Sequence, residues 1–231
     1  MHHQPPLLLP PPPPAYVDPP TPNFYRTADY PALAEPINLL LSHLPAIQTE
    51  LQHLLSRGIS WPAWPEPELL PPPIPTAPSQ PTWTILPFCH TFPATPPTPT
   101  TWLSSAAACP FTLSLLQQIP HLKTALFSRL APHTTLTPHR GWADLANHVL
   151  RCHIGLVVPP KCGVVCGGET TLHETGSVTI FDDSKLHHAF NDSEEERFVL
   201  IFDLLRPEGV PKGTVDGGHT KELNDLIDRF K

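Results

Sequence analysis

The sequence predicts a mainly β domain, a sandwich or barrel of short strands, with N-terminal helices and proline-rich wrapping loops. Three observations lead there. After Lys123, short segments rich in β-branched and aromatic residues follow one another, at 124–130, 149–158, 164–166, 177–181 and 198–205. Turn signals separate them: Pro159-Pro160, Gly167-Gly168, Asp182-Asp183 and Asn191-Asp192. Finally, 35 of the 231 residues are proline but only 11 are glycine, so the prolines punctuate a folded chain rather than dilute a flexible one.

At 25.5 kDa the chain suits one well-cored domain and is short for two. A proline-rich arm is expected over 1–22. A single domain is expected over 23–231, divided into a helical and proline-rich scaffold (23–120), a β core (121–210) and a tail with a short helix (211–231). Charged residues make up only 15% and the net charge is -7, which excludes a basic nucleic-acid glove and leaves no nucleic-acid partner expected. No window approaches 18 uninterrupted apolar residues, so no membrane span is expected. The run Leu7-Leu8-Leu9 is too short for a signal sequence, which makes the cytoplasm the expected location. Five cysteines are an odd count without framework spacing and read as reduced, buried thiols; Cys162 and Cys166 read as core packing.

Taken in order, Pro5 to Pro22 reads as an extended polyproline-type arm or a disordered tail. Leu33, Ile37, Leu40, Leu41, Leu44, Ile47, Leu51, Leu54 and Leu55 then recur at helical spacing, broken near Pro45 and stopped by Gly58. From Trp61 to Pro99 proline returns. Proline cannot donate to a ladder, so this stretch reads as a wrapping connection with one short strand over 83–86, outside the central sheet. A second helical pattern spans 111–119, and a terminal helix spans 220–230.

Fourteen histidines invite a metal reading. Seven of them, including His43, His53, His90 and His219, read as lone side chains in the tail, on helices or in loops. His139, His153 and His187 instead fall at strand edges. Alternation within 149–158 puts Arg151 and His153 on one face and Leu150, Cys152, Ile154 and Leu156 on the other. Inside a small barrel an inward Arg and His make an anion pocket. Arg197 opens a strand ten residues after His187, a layout shared with iron/2-oxoglutarate oxygenases.

Phe127-Ser128-x(9)-Pro138-His139-Arg140-Gly141, then Asn147-x(3)-Arg151-Cys152-His153, then Ile180-Phe181-Asp182-Asp183-Ser184-x-x-His187, and finally Arg197 and Asp203-Leu204-Leu205-Arg206-Pro207 together resemble the aspartyl/asparaginyl β-hydroxylase family. The resemblance covers about half of the chain, from Trp83 to Pro207. It implies a double-stranded β-helix, a jelly-roll or cupin-like barrel. It implies Fe(II) held by His139 and His187. It implies 2-oxoglutarate held at its distal carboxylate by Ser128 and Arg197 and near its C1 end by Arg151 and His153. The carboxylate usual two residues after the first histidine is absent, because Gly141 stands there. Asp182 or Asp183 can act from behind, orienting His187 or a water. The interval from His139 to Arg151 is about three residues longer than usual, which implies an enlarged turn or a helical bulge.

The implied reaction uses Fe(II), 2-oxoglutarate and O₂ to oxidise an unactivated C–H bond, releasing succinate and CO₂. The expected substrate is a small amino acid, an amino-acid derivative or a short peptide, and the outcome is hydroxylation or an oxidative cyclisation such as aziridine formation, as in some microbial and fungal natural-product pathways. The competing reading is a non-catalytic jelly-roll binding module with a proline-rich interaction arm.

Overall fold

The computed structural model describes residues 20–70 and 82–231. Most of the proline-rich arm and the stretch from Pro71 lie outside the described residues. The elements run β1 (Phe24–Tyr25), α1 (Pro31–Ser42), α2 (Leu44–Ser56), β2 (Trp83–His90), β3 (Thr101–Trp102), α3 (Pro110–Leu116), β4 (Leu122–Leu130), β5 (Thr134–Thr135), α4 (Ala143–Ala146), β6 (Val149–Val157), β7 (Cys162–Cys166), β8 (Glu169–Leu172), β9 (Val178–Phe181), β10 (His187–Asn191), β11 (Arg197–Leu205) and α5 (Lys221–Asp228).

The strands form two antiparallel sheets, a seven-stranded one in the order β1-β9-β6-β11-β4-β2-β3 and a four-stranded one in the order β5-β10-β7-β8. This is the expected mainly β jelly-roll with helices applied to it. No helix among the described residues is long and apolar enough to cross a membrane.

The alternation along β6 decides which face of the large sheet does what. Leu150, Cys152, Ile154 and Leu156 pack into one cluster with Leu33, Ile37, Leu40, Ile47, Leu51 and Leu54 of α1 and α2. Each buried Leu or Ile contributes roughly 1.5–3 kcal/mol relative to exposure, so this layer is the main stabiliser of the domain. The helices cover that face completely enough to free the other, which carries Arg151 and His153, for chemistry. Polar contacts fix their placement: Gln48 Nε2 donates to the Leu156 carbonyl at 2.7 Å, and Glu50 accepts from the Phe111 and Thr112 amides, both at 2.8 Å, at the start of α3. Pro45 lies in the first turn of α2, where its missing N–H costs no helical bond; the break falls at His43, where the pattern placed it.

Three expectations are corrected. The strand expected over 83–86 runs to His90 and lies inside the large sheet, between β4 and β3. Pro87 is tolerated because the register with β4 shifts between Pro87 and Cys89, and because β3 pairs only with Cys89 and His90. The β architecture therefore begins well before residue 121. Strands β8 and β10 carry little periodic signal and were not expected; β10 is five residues with two histidines and an asparagine. Thr21, assigned to the arm, is docked: its carbonyl accepts from Lys185 Nζ, and Phe24 and Tyr25 pair with Phe181 and Ile180. The helical turn α4 accounts for the longer interval between His139 and Arg151. All five cysteines are buried and unpaired, with no disulfide.

Candidate functional site

The strand pairing sets His139 and His187 directly opposite one another. Their backbones exchange two hydrogen bonds, of 2.9 and 2.8 Å, as an isolated bridge between the end of the β5 loop and the start of β10. Their rings lie 4.5 Å apart between centroids. Each ring is held in the same way from behind: His139 Nδ1 lies 2.7 Å from the Thr137 carbonyl and His187 Nδ1 lies 2.8 Å from the Lys185 carbonyl. A carbonyl oxygen only accepts, so both Nδ1 atoms carry the proton and both Nε2 atoms present a lone pair. Burial pushes the His139 pKa down to about 4 and holds His187 well below the ordinary histidine value, assisted by His139. Both imidazoles are neutral at pH 7, the form that ligates a metal.

Asp183 stands beside them. Its Oδ1 lies 3.3 Å from His187 Nε2 and 2.6 Å from an Arg151 guanidinium nitrogen. Burial raises its pKa to about 7 against the pull of Arg151. The absence of a side chain at Gly141 is a packing requirement. A Cβ there would fall inside Asp183 Oδ2 and 2.7 Å from Ala146 Cβ, while the Gly141 amide donates to the Asp183 carbonyl at 2.8 Å. The carboxylate missing from position 141 is thus replaced in space by one from the loop between β9 and β10. Asp182 points elsewhere: it pairs with Arg206 and accepts from Ser184, stabilising the turn before β10. Of the two candidates, only Asp183 touches His187.

Arg151 is more committed than its sequence position suggested. Its Nε and NH2 donate to Asp203 at 2.9 and 3.0 Å, and NH1 pairs with Asp183. Asp203 completes the inward row Arg197, Val199, Ile201 and Asp203 on β11; carrying the alternation one step further along the strand would have found it.

Deeper in the barrel Arg197 has no compensating charge. It is fully enclosed; among the described residues its Nε and NH1 lack hydrogen-bond partners, and its one hydrogen bond is a long one of 3.4 Å to Ser128 Oγ. Trp83 Nε1 also donates to that hydroxyl, at 3.0 Å. His153 and His173 lie nearby with ring centroids 5.2 Å apart, and all four of their ring nitrogens lack partners. Burial holds His153 far below the ordinary histidine value and lowers His173 to about 3, so neither supplies charge. His173 enters from the loop after β8, where no sequence pattern pointed to it. Ser128, Arg151, His153 and Arg197 line one cavity together with His139 and His187.

The residues fit a metal with an anionic cosubstrate. Two neutral imidazoles lie side by side with a carboxylate 3.3 Å from one of their Nε2 atoms, a donor set that favours a cation. A buried guanidinium with two unpartnered nitrogens requires an anion. Among the described residues no group of three or more His, Cys, Asp or Glu is placed to hold a metal ion, so the protein would offer a metal the two imidazoles.

Comparison with known proteins points to one family. Residues 42–207 match the aspartyl/asparaginyl beta-hydroxylase family. The chain is 39% identical over 103 residues to an ornithine lipid ester-linked acyl 2-hydroxylase of Rhizobium tropici, covering 43% of this chain and 36% of that protein. It is 34% identical over 115 residues to the human aspartyl/asparaginyl beta-hydroxylase, covering 47% of this chain and 15% of that one. The matches thus span little more than a third of these curated relatives at most. Among solved structures, an oxidoreductase of the 2OG-Fe(II) oxygenase family from Burkholderia pseudomallei aligns over 58% of this chain and 73% of its own, with TM-score 0.42 and 11% identity.

Proposed function

The chain belongs to the aspartyl/asparaginyl β-hydroxylase family, and from that premise we propose that it is an Fe(II)/2-oxoglutarate-dependent oxygenase acting on a small amino-acid-like molecule. The observation that carries this reading is the pairing, in one cavity, of two metal-ready imidazoles with a buried unpaired guanidinium.

In this reading His139 and His187 hold Fe(II), and Arg197 with Ser128 hold the distal carboxylate of 2-oxoglutarate. With O₂, the bound metal and cosubstrate supply an oxidant able to take hydrogen from an unactivated C–H bond, releasing succinate and CO₂. The chain's own work is positional. The Thr137 and Lys185 carbonyls lock the two ring tautomers. Asp203 holds Arg151 in place, and Arg151 in turn holds Asp183 against His187. His153 offers a neutral ring near the cosubstrate's C1 end, kept free of charge by burial and by His173 and Arg197. The buried interior excludes bulk water from the reacting centre.

Both hydroxylation and oxidative ring closure are compatible with such a centre, and the bound substrate's geometry selects between them. The test is succinate formation by the purified full chain with Fe(II), 2-oxoglutarate and ascorbate, over free amino acids and N-acyl amino acids. Substrate-stimulated succinate above the substrate-free rate is the expected result. A folded protein that consumes no 2-oxoglutarate, with or without any of these compounds, overturns the reading.

A further inference from the structure

A second cavity adjoins the first and shares Trp83, Arg151 and Ile201 with it. Its walls are overwhelmingly apolar. Trp64, Phe92, Leu103 and Trp142 form the sides, and Leu223, Leu226 and Ile227 of α5 close it from above.

The aromatic wall is built with some care. Trp83, Trp64 and Trp142 stack as a column, with centroid separations of 4.2 and 5.9 Å and interplanar angles of 12 and 11°. One buried carboxylate, Glu66, accepts from both Trp64 Nε1 and Trp142 Nε1 at 3.0 Å and so locks two of the three rings. The same column borders a polar vestibule beside His139 that also contains Glu66, Glu68, Arg140 and Arg151. The chamber itself contains polar groups that the protein leaves unsatisfied: Thr124 Oγ1 and both ring nitrogens of His90 have no hydrogen-bond partner. Natural interiors rarely leave such groups unmatched, and a ligand's own polar group is one way to match them.

The cover is independent of the residues that match the family. The match ends at residue 207, while α5 spans Lys221–Asp228. Thr220 caps this helix by accepting from the Leu223 amide. The segment is pinned at both ends, by the Ala143 amide donating to the Gly217 carbonyl at 2.7 Å and by the Ser104 amide and hydroxyl donating to the Phe230 carbonyl, each at 2.7 Å.

We propose that this chamber is the substrate's side-arm subsite and that α5 is its cover, so that the substrate is an amphiphile. A charged amino-acid-like head would lie in the vestibule beside His139, and an alkyl or aryl arm carrying a hydrogen-bonding group would lie under α5 between the indole column and Leu223. The proposal rests on the oxygenase reading for the word substrate, but the chamber's occupancy is testable without any turnover.

The experiment is isothermal titration of the full chain, without iron or 2-oxoglutarate, using N-octanoylglycine and N-acetylglycine as probes. These share a head and differ only in the arm. The parent should hold N-octanoylglycine at least tenfold more tightly. Leu223→Trp fills the chamber from the cover and Leu103→Trp fills it from the side; each should bring the two probes to similar affinity while near-ultraviolet circular dichroism confirms a packed fold. Two variants are used so that misfolding of one leaves the other decisive. Equal affinity of the two probes for the parent overturns the proposal, as does retention of the preference in the correctly folded filled variants. Succinate formation without the arm preference would sink the chamber and spare the oxygenase reading; the arm preference without 2-oxoglutarate consumption would do the reverse.

Discussion

Replacing Arg197 by methionine separates two consequences of one buried charge. The guanidinium is 1% exposed, with Nε and NH1 unpartnered. Burial lowers its pKa from 12.5 to about 10. It remains charged at pH 7 both folded and unfolded, so the folded state carries the full desolvation penalty below about pH 10 and sheds it only as the pH rises from there. At ~1.4 kcal/mol per tenfold change in proton affinity, that penalty is about 3 kcal/mol. A methionine of similar length removes the charge and keeps most of the volume. The ligand-free variant should therefore be more stable than the parent by up to about 3 kcal/mol, or on the order of 6–12 °C for a domain of this size. Cosubstrate binding should move the other way. Removing one partner of a buried charge pair costs roughly 2–5 kcal/mol, which is about 30-fold to several thousand-fold in affinity. The assay is thermal melting under anaerobic Fe(II), with and without 2-oxoglutarate. The parent should gain stability with the cosubstrate and the variant should not. Arg197→Lys should recover part of the binding, since an ammonium lacks the planar two-point contact. If the methionine variant keeps the cosubstrate-dependent rise, Arg197 does not hold 2-oxoglutarate. If its ligand-free melting temperature falls, the charge in the parent is compensated and the reasoning fails at its first step.

Other perturbations address the remaining groups. His139→Ala and His187→Ala should each lose iron and activity with the fold nearly intact, measured by metal content and circular dichroism; iron retained at parental level in either would end the ligand assignment. His153→Ala should keep iron but require more 2-oxoglutarate, seen as a raised KM for the cosubstrate. Gly141→Ala should lower the urea midpoint by the equivalent of about 1–3 kcal/mol, the usual cost of overpacking, because its Cβ collides with Asp183 and lies 2.7 Å from Ala146 Cβ; an unchanged midpoint would mean that the loop yields freely.

The histidines and strands before and after position 150 were legible because they rest on local rules. Period-two alternation alone separated Arg151 and His153 from Leu150, Cys152, Ile154 and Leu156, and the helical spacing from Leu33 to Leu54 identified what covers that second face. The ordered motifs from Ser128 to Arg197 placed the candidate centre. What the chain order could not reveal were the contacts that join distant segments. Asp183 substitutes for a side chain at Gly141 because β10 pairs with β5 and its preceding loop thereby lies against the loop after β5. Arg151 is spoken for by Asp203, 52 residues away, so its inward position did not by itself make its charge available. His173 and the Trp64–Trp83–Trp142 column come from loops and strand ends with no period to read. Proline misled in one place: Pro87 argued against a sheet, yet a register shift and a two-residue neighbour removed the need for its missing donor. Local sequence determined which residues could face inward, through backbone periodicity. Which inward charges are matched and which are left unpaired for a ligand is a property of the closed barrel, because burial and pairing are set by groups that only the tertiary fold brings together.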